Sequence, residues 1–184
     1  MGTREDTRST PESPALGPAR PGLLSMLQVV LGSVLFTGFI PIAPATFGAL
    51  LALPLVWVLP KSLVTYAGVT ILLFLLGVWL ATRLEQRWGH DHRRITIDEL
   101  VGMLVSFGYV PFGVIPAIAG FLLFRFFDIV KLPFVRWFES LPGGWGIVMD
   151  DVMAGVCTNV VLQVLFRLVF HLSGLKQWSM LSWS

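Results

Sequence analysis

The stretch FRFFDIVKLPFVRWFESLPGGWGIVMDDVMAG, residues 124–155, lies between long apolar runs and yet is rich in charge. If the apolar segments on either side cross a bilayer, these charges gather at one membrane face. A carboxylate at bilayer depth costs about 3 kcal/mol or more, so its presence indicates a partner such as a metal ion or an anion. The rest of the chain is therefore interpreted as a scaffold for this charged cluster. Its charged side chains include Arg125, Asp128, Lys131, Arg136, Asp150 and Asp151.

The composition indicates an integral membrane protein. The chain has 184 residues, of which 55% are hydrophobic and 13% are charged, and this is too apolar for an ordinary soluble domain. No polybasic groove with interleaved aromatic residues is present in the sequence, so nucleic acid is not an expected partner. Cys157 is the single cysteine, which excludes disulfides and cysteine metal sites within one chain.

We predict an all-α, polytopic membrane helical bundle of about four to six apolar helices, with a carboxylate cluster at the cytoplasmic face. Residues 1–21 are rich in Pro, Ser, Thr and charge, which predicts a disordered cytoplasmic tail. Residues 22–176 are predicted to form a single membrane-embedded domain, and residues 177–184 a short C-terminal tail. The sequence leaves the oligomeric state open.

Two helical hairpins and a final helix are predicted from the apolar runs. Four arginines between residues 83 and 94 follow the first hairpin, and basic residues near the ends of spans mark the cytoplasmic side. The first run either spans the membrane or lies at its interface. Asp150 and Asp151 are predicted to open the last helix, where the helix dipole favours acidic residues. The apolar runs are 23–39, 46–59, 63–82, 100–110, 114–127 and 152–172.

The loop GFIPIAPATFG, residues 38–48, has two readings. Pro44 breaks any helix, and a new helix can begin after it with Thr46 near its N-terminal end. Because a helix N-terminus presents free backbone N–H groups, this loop could bind a phosphate. The alternative is a membrane-interface turn without a ligand.

Arg125, Asp128 and Lys131 recur at three-residue steps and so lie along one helix face as plus, minus, plus. In the functional interpretation Asp128 binds a metal, while Arg125 and Lys131 hold a phosphate. Arginine suits bidentate phosphate contacts, and lysine supplies a point charge. The alternative is an intrahelical stripe of salt bridges.

The adjacent acidic pairs Asp98–Glu99 and Asp150–Asp151 fall near the ends of runs that are predicted to share one side. Because neighbours on a helix diverge by about 100°, at most one member of each pair needs to face a shared centre. Helix capping explains one such pair but not several acidic sites on one side. Carboxylates suit Mg²⁺, which is bound through one or two of them together with substrate phosphate.

Other polar residues are given weaker roles. His90-Asp91-His92 lacks a third zinc ligand, so it is interpreted as an exposed loop that helps shape the site through Asp91. Asn159 and Gln163, four residues apart on the last helix, are predicted to form interhelical hydrogen bonds rather than to catalyse a reaction.

Four motifs in the same order resemble the phosphatidylglycerophosphatase A family, and together they cover nearly everything after the tail. The motifs are GFIPIAPATFG (38–48), IDELVGM (97–103), FRFFDIVK (124–131) and GGWGIVMDDVMAG (143–155). The resemblance implies a Mg²⁺-dependent lipid phosphatase of the bacterial inner (cytoplasmic) membrane, multi-pass, with its active site facing the cytoplasm. Its substrate would be phosphatidylglycerophosphate, and its products phosphatidylglycerol and phosphate.

The motifs also imply roles for individual residues. Two departures from the family pattern are Leu132, where the family usually has proline, and Ala45, where it commonly has glycine. The second suggests that the flexibility of glycine is not essential there. The resemblance and the residue patterns together assign the metal to Glu99, Asp128, Asp150 and Asp151, catalysis to Asp98, Arg125 and Lys131, and substrate binding to Pro44, Thr46, Gly48 and Asp91.

The expected mechanism is hydrolysis in which a carboxylate-bound Mg²⁺ positions water, with Asp98 as a candidate general base and Arg125 or Lys131 stabilising the departing phosphate. No residue qualifies by sequence as a covalent nucleophile, although an aspartyl-phosphate route stays open. The main alternative function is an ion- or proton-coupled transporter, because intramembrane acids also mark transport pathways. A transporter would place its acids near the midplane of the membrane, whereas these acids fall near the predicted ends of spans.

Overall fold

The structure, a computed structural model, describes residues 22–59, 62–89, 92–111, 113–130 and 133–172. These residues form seven α-helices and two short 3₁₀ turns, at Thr37–Phe39 and His92–Arg94, and none of them forms a strand. The all-helical class is therefore confirmed for this part of the chain. The predicted tails, 1–21 and 177–184, lie outside the described residues. The helices are α1 (Leu23–Gly32), α2 (Pro44–Val58), α3 (Leu63–Trp88), α4 (Ile97–Ser106), α5 (Val114–Val130), α6 (Pro133–Glu139) and α7 (Gly144–Leu172).

Among the described helices, two are long and apolar enough to cross a membrane. They are α3 and the part of α7 from Gly144 to Val169, with 26 residues each. A perpendicular span needs about 20 residues, and α1 and α2 have only 10 and 15. Two candidate spans are fewer than the four to six helices predicted, because turns interrupt several apolar runs before they reach that length.

The last helix begins earlier than the sequence predicted. α7 starts at Gly144, after Gly143 adopts a positive φ of 63°. The Gly144 N–H donates a hydrogen bond to the Thr82 hydroxyl of α3 at 3.0 Å. The prediction that Asp150 and Asp151 open this helix is therefore wrong: they lie about two turns inside it, where the dipole of its N-terminus is weaker.

α4 and α7 cross with their backbones in contact at two glycines. A Cβ atom on Gly102 would lie 2.6 Å from the Phe124 ring and 2.7 Å from the Asp151 carbonyl oxygen, and one on Gly155 would overlap the Gly102 carbonyl. Small residues commonly allow such close approaches between membrane helices. Asp98 precedes Gly102 by one turn and Asp151 precedes Gly155 by one turn, so the crossing brings these acids to one end of the helix pair.

The N-terminal end of α4 is anchored by a buried threonine pair. The Thr96 N–H donates to the Gly32 carbonyl at 2.9 Å, and the Thr96 and Thr37 hydroxyls lie 2.9 Å apart. Thr37 donates its own proton to the Ser33 carbonyl, so Thr96 is the donor to Thr37. The segment after α1 therefore fixes where the acidic start of α4 lies.

A side-chain amide ties the other end of α4 to α7. Asn159 donates to the carbonyls of Ser106 and Gly108 at 3.0 and 2.5 Å, and Gln163 donates to the Asn159 side chain at 2.7 Å. These bonds satisfy carbonyls at the C-terminus of α4. The interhelical hydrogen bonding predicted for this pair is confirmed for Asn159, which Gln163 orients from within α7.

Candidate functional site

A cavity of about 940 Å³ lies where the N-terminal ends of α2 and α4 meet α5 and the first turns of α7. Both acidic pairs and the aspartate of α5 reach its wall. The structure thus brings together five carboxylates that are as much as 53 residues apart in the sequence. They are Asp98, Glu99, Asp128, Asp150 and Asp151.

Three of these carboxylates form a compact group. Asp128, Asp150 and Asp151 each offer one oxygen, and these three oxygens lie within 4.8 Å of one another. Opposite ligands of one Mg²⁺ are about 4.2 Å apart, so a small side-chain adjustment would let all three bind one ion. Asp150 and Asp151 are buried and Asp128 is half-buried. Both members of the α7 pair face the centre, although only one was expected to do so.

Arg125 connects Glu99 on α4 to Asp128 on α5. Its Nη1 atom lies 3.0 Å from each Glu99 oxygen and 3.0 Å from Asp128 Oδ2, with 18% of the side chain exposed. The contact with Asp128 is an intrahelical salt bridge, which the sequence offered as the alternative to a metal and phosphate site. Arg125 does not itself line the cavity, and Lys131 lies outside the described residues.

Asp98 is a buried acid at the start of α4. Its Oδ1 accepts a hydrogen bond from the Glu99 N–H at 3.0 Å. Burial, reinforced by the charges of Asp128 and Asp150, raises the pKa of Asp98 to about 7. Burial and the neighbouring Asp98 also raise the pKa of Glu99. Arg125 contacts Glu99 and Asp128, and its single positive charge offsets only part of the negative charge of the five carboxylates, so the cluster favours a bound cation.

The loop motif contributes to the cavity only in part. Pro44 and Ala45 line the cavity, whereas Thr46 and Gly48 do not. The Thr46 N–H donates to the Ala43 carbonyl at 3.0 Å, and a Cβ on Gly48 would lie 2.9 Å from the Thr96 side chain. Ala45 lies inside α2, so its position does not require glycine, and the positive φ of this segment, 51°, is at Ala43. Asp91 lies outside the described residues.

The cavity is also lined by residues whose sequence pattern does not predict a role in the site. The arginines before α4 were interpreted only as a cytoplasmic marker. Their position in the sequence is the signal that could have identified them, because Arg94 precedes Asp98 by only four residues. These additional lining residues include Phe39, Glu85, Arg93, Arg94 and Glu139.

Removing the Arg125 guanidinium should impair catalysis without removing any proposed metal ligand. We expect Arg125→Ala to lower kcat by about 10- to 100-fold, as is typical when a partner that orients a metal ligand is lost. The kcat of Arg125→Lys should lie between those of the wild type and Arg125→Ala, because lysine keeps the charge but not the planar geometry. Phosphate release at saturating Mg²⁺ measures the effect.

The matched control is Arg136→Ala. Arg136 is an exposed arginine of α6 that does not line the cavity, and its loss should change kcat by less than about 2-fold. Equal losses in the two variants would contradict the role of Arg125 in positioning Glu99 and Asp128.

Comparison with known proteins identifies the family. The profile of the family described as Phosphatidylglycerophosphatase A matches residues 30–166, a range that includes all five carboxylates. The chain belongs to the phosphatidylglycerophosphatase A family. This assignment confirms the resemblance carried by the four motifs, and with it the predicted enzyme class.

Three curated relatives match most of the chain. A protein from Bacteroides thetaiotaomicron, provisionally named phosphatidylinositol-3-phosphatase, is 40% identical over 155 residues, which are 76% of this chain and 94% of the relative. The Escherichia coli K12 phosphatidylglycerophosphatase A is 37% identical over 143 residues, which are 74% of this chain and 80% of the relative. The Haemophilus influenzae phosphatidylglycerophosphatase A is 38% identical over 149 residues, which are 76% of this chain and 86% of the relative. No solved structure gives a significant match.

Proposed function

We propose that the protein is a Mg²⁺-dependent phosphatase that hydrolyses phosphatidylglycerophosphate to phosphatidylglycerol and inorganic phosphate. The observation that carries the proposal is the group of three carboxylate oxygens within 4.8 Å, on the wall of a cavity of about 940 Å³. Membership of the phosphatidylglycerophosphatase A family supplies the substrate class. The cavity is large enough for a phosphorylated headgroup, since small-molecule sites typically have about 300–1,000 Å³.

Asp128, Asp150 and Asp151 are the proposed metal ligands, with Glu99 beside them. Three hard oxygen donors in a partly buried group fit Mg²⁺, which keeps its remaining positions for water and phosphate oxygens. A bound Mg²⁺ would polarise the phosphoryl group and neutralise charge that develops on it. Glu99 is held by Arg125, so its carboxylate has a fixed position at the edge of this group.

Other residues of the chain are proposed to bind substrate and move protons. Asp98 reaches the cavity wall and is the proposed base that accepts a proton from the attacking water and returns it to the glycerol oxygen as the P–O bond breaks. Arg125 would act through Glu99 and Asp128, while Lys131 is proposed to stabilise the departing phosphate. Pro44 and the first turn of α2 would contact the headgroup, and Asp91 is proposed to complete the cytoplasmic rim. Thr46 and Gly48 are proposed to maintain the shape of the loop.

The membrane arrangement is also a proposal. We place α3 and α7 across the bacterial inner membrane, with the shorter apolar helices tilted or embedded beside them in a multi-pass bundle. The C-terminal end of α3 and the segment after it carry Arg83, Arg87, Arg93 and Arg94. Because basic residues favour the cytoplasmic side, the cavity that Arg93 and Arg94 line would open to the cytoplasm.

Removal of the metal should abolish activity. Protein purified in detergent micelles and treated with EDTA is expected to release less than about 1% of the phosphate released in excess Mg²⁺, because unpaired carboxylates repel the phosphate anion. Added Mg²⁺ should restore the activity. Hydrolysis of phosphatidylglycerophosphate that continues at full rate in EDTA would contradict the proposed metal site.

The same assay separates the competing functions. Detergent micelles have no compartments, so Mg²⁺-dependent turnover in them supports an enzyme, whereas a transporter would release no phosphate. The name of the Bacteroides relative makes phosphatidylinositol 3-phosphate the appropriate competing substrate. A higher kcat/KM for phosphatidylglycerophosphate is expected, and the reverse order would overturn the substrate assignment.

A further inference from the structure

Arg94 places a fixed positive charge on the wall of the carboxylate cavity. Its guanidinium carbon lies 5.5 Å from the centroid of the Phe39 ring and 5.8 Å from that of the Trp88 ring. Both distances are within the range of cation–π contacts. Among the described residues, no carboxylate forms a salt bridge with Arg94. The guanidinium is therefore oriented by two rings, and no carboxylate of the described residues occupies its N–H donors.

The backbone of Arg94 is also held in place. A Cβ on Gly38 would lie 2.6 Å from the Arg94 carbonyl carbon and 2.8 Å from its Cα, so the loop before α2 packs directly onto this residue. Two residues later, Thr96 is bonded to the segment that follows α1. The backbone of Arg94 is thus held in place and its exposed side chain rests on two rings, which lowers the entropic cost of binding an anion there.

A second, smaller cavity adjoins the ring pair. It has a volume of about 270 Å³, and Phe39 lines both cavities. Trp88 lines the second cavity, together with the apolar side chains of Met26 and Val29 from α1, and with Arg87, which donates a hydrogen bond to Ser25. Arg94 therefore lines the charged cavity while its guanidinium rests on two rings that line a mostly apolar one. This order of environments matches a phospholipid, in which a phosphodiester group lies between a polar headgroup and the acyl chains.

We propose that Arg94 binds the phosphodiester group of the lipid substrate while the terminal phosphomonoester occupies the carboxylate centre. The inference rests on the proposed function and extends it, because it makes the enzyme selective for lipids that carry two phosphates. Arginine suits this role, since its planar N–H donors match two phosphate oxygens at once. The diacylglycerol part of the bound lipid would then extend out of the site past Phe39 and Trp88.

Kinetics with phosphatidylglycerophosphate in mixed micelles of an uncharged detergent test this inference. Arg94→Ala is expected to raise KM by about 10- to 100-fold, the range for a lost charge-assisted hydrogen bond, with kcat within about 3-fold of the wild type. The KM of Arg94→Lys should lie between that of the wild type and that of Arg94→Ala. Arg94→Gln keeps much of the side-chain length, so it tests the loss of charge if Arg94→Ala fails to fold.

Two controls make the result specific. Arg83 is an exposed arginine near the C-terminal end of α3 that lines neither cavity, and Arg83→Ala should leave KM within about 2-fold of the wild type. Inorganic phosphate reports on the monoester position alone, so its inhibition constant should not change in Arg94→Ala. An unchanged KM in both Arg94→Ala and Arg94→Gln would overturn the inference. So would an equal effect of Arg83→Ala, which would indicate general attraction to the micelle, or a parallel rise in the phosphate inhibition constant.

The outcomes also separate this inference from the proposed function. If the wild-type protein does not hydrolyse phosphatidylglycerophosphate in Mg²⁺, the proposed function fails. If the wild type is active and the Arg94 variants behave like it, only the role of Arg94 fails.

Discussion

Asp151→Asn is expected to abolish Mg²⁺-dependent phosphate release, with kcat at least about 100-fold below that of the wild type. Loss of a residue that merely orients a metal ligand typically costs about 10- to 100-fold, and Asp151 is a proposed ligand itself. The substitution keeps the volume of the side chain but removes its charge. Asp151 is buried beside Asp128 and Asp150, so its loss leaves two of the three carboxylates in this compact group.

Thermal unfolding distinguishes loss of the metal from loss of the fold. A ligand that binds only the folded state raises the melting temperature, so Mg²⁺ should stabilise the wild type. In Asp151→Asn this Mg²⁺-dependent rise should disappear, while the metal-free protein melts no lower than metal-free wild type, because one repelling charge has been removed. Normal kcat together with a normal Mg²⁺-dependent rise would contradict the assignment of Asp151.

Gly155→Ala should destabilise the protein, although alanine is the better helix former. At an unpacked helical position this change is favourable by about 1 kcal/mol. At Gly155 the added methyl group would overlap the Gly102 carbonyl, so α4 and α7 must separate. Overpacking of this kind typically costs about 1–3 kcal/mol. Activity should fall as well, because the acids one turn from the crossing move apart while every charged residue is still present.

Gly68→Ala is the matched control for this prediction. Gly68 lies in helix α3, and a Cβ there would have no atom within 4 Å. The control should therefore keep or slightly raise the melting temperature and leave phosphate release unchanged. If Gly155→Ala is as stable and as active as Gly68→Ala, the backbone contact between α4 and α7 does not position the site.

The sequence correctly predicted the helical class, and the five acids that it singled out line one cavity. Apolar runs determine where helices are favourable, because the chain must satisfy its backbone hydrogen bonds internally wherever water is excluded. Charged residues such as Asp98, Asp128 and Asp151 stand out against such runs, since burying them is costly unless they have a partner. For the same reason, the interhelical role of Asn159 could be predicted from its position within an apolar helix.

The boundaries were less predictable. The start of α7 was placed at Asp150 because acids are common in a first helical turn, yet the helix begins six residues earlier. That choice depends on the Thr82 hydroxyl of another helix, which satisfies the Gly144 N–H. A contact between residues 62 positions apart has no signature in the local sequence.

By itself, the sequence determined that this chain forms apolar helices with a small set of acids, and the motifs determined its family. Only the tertiary structure decided how those acids are grouped: Asp128 lies beside the α7 pair, and Arg125 holds Glu99 while it also contacts Asp128. It also decided that Arg94, rather than Arg125, lines the cavity. The physical reason is that helical periodicity fixes which side chains share a face, whereas the Gly102–Gly155 crossing sets which faces meet.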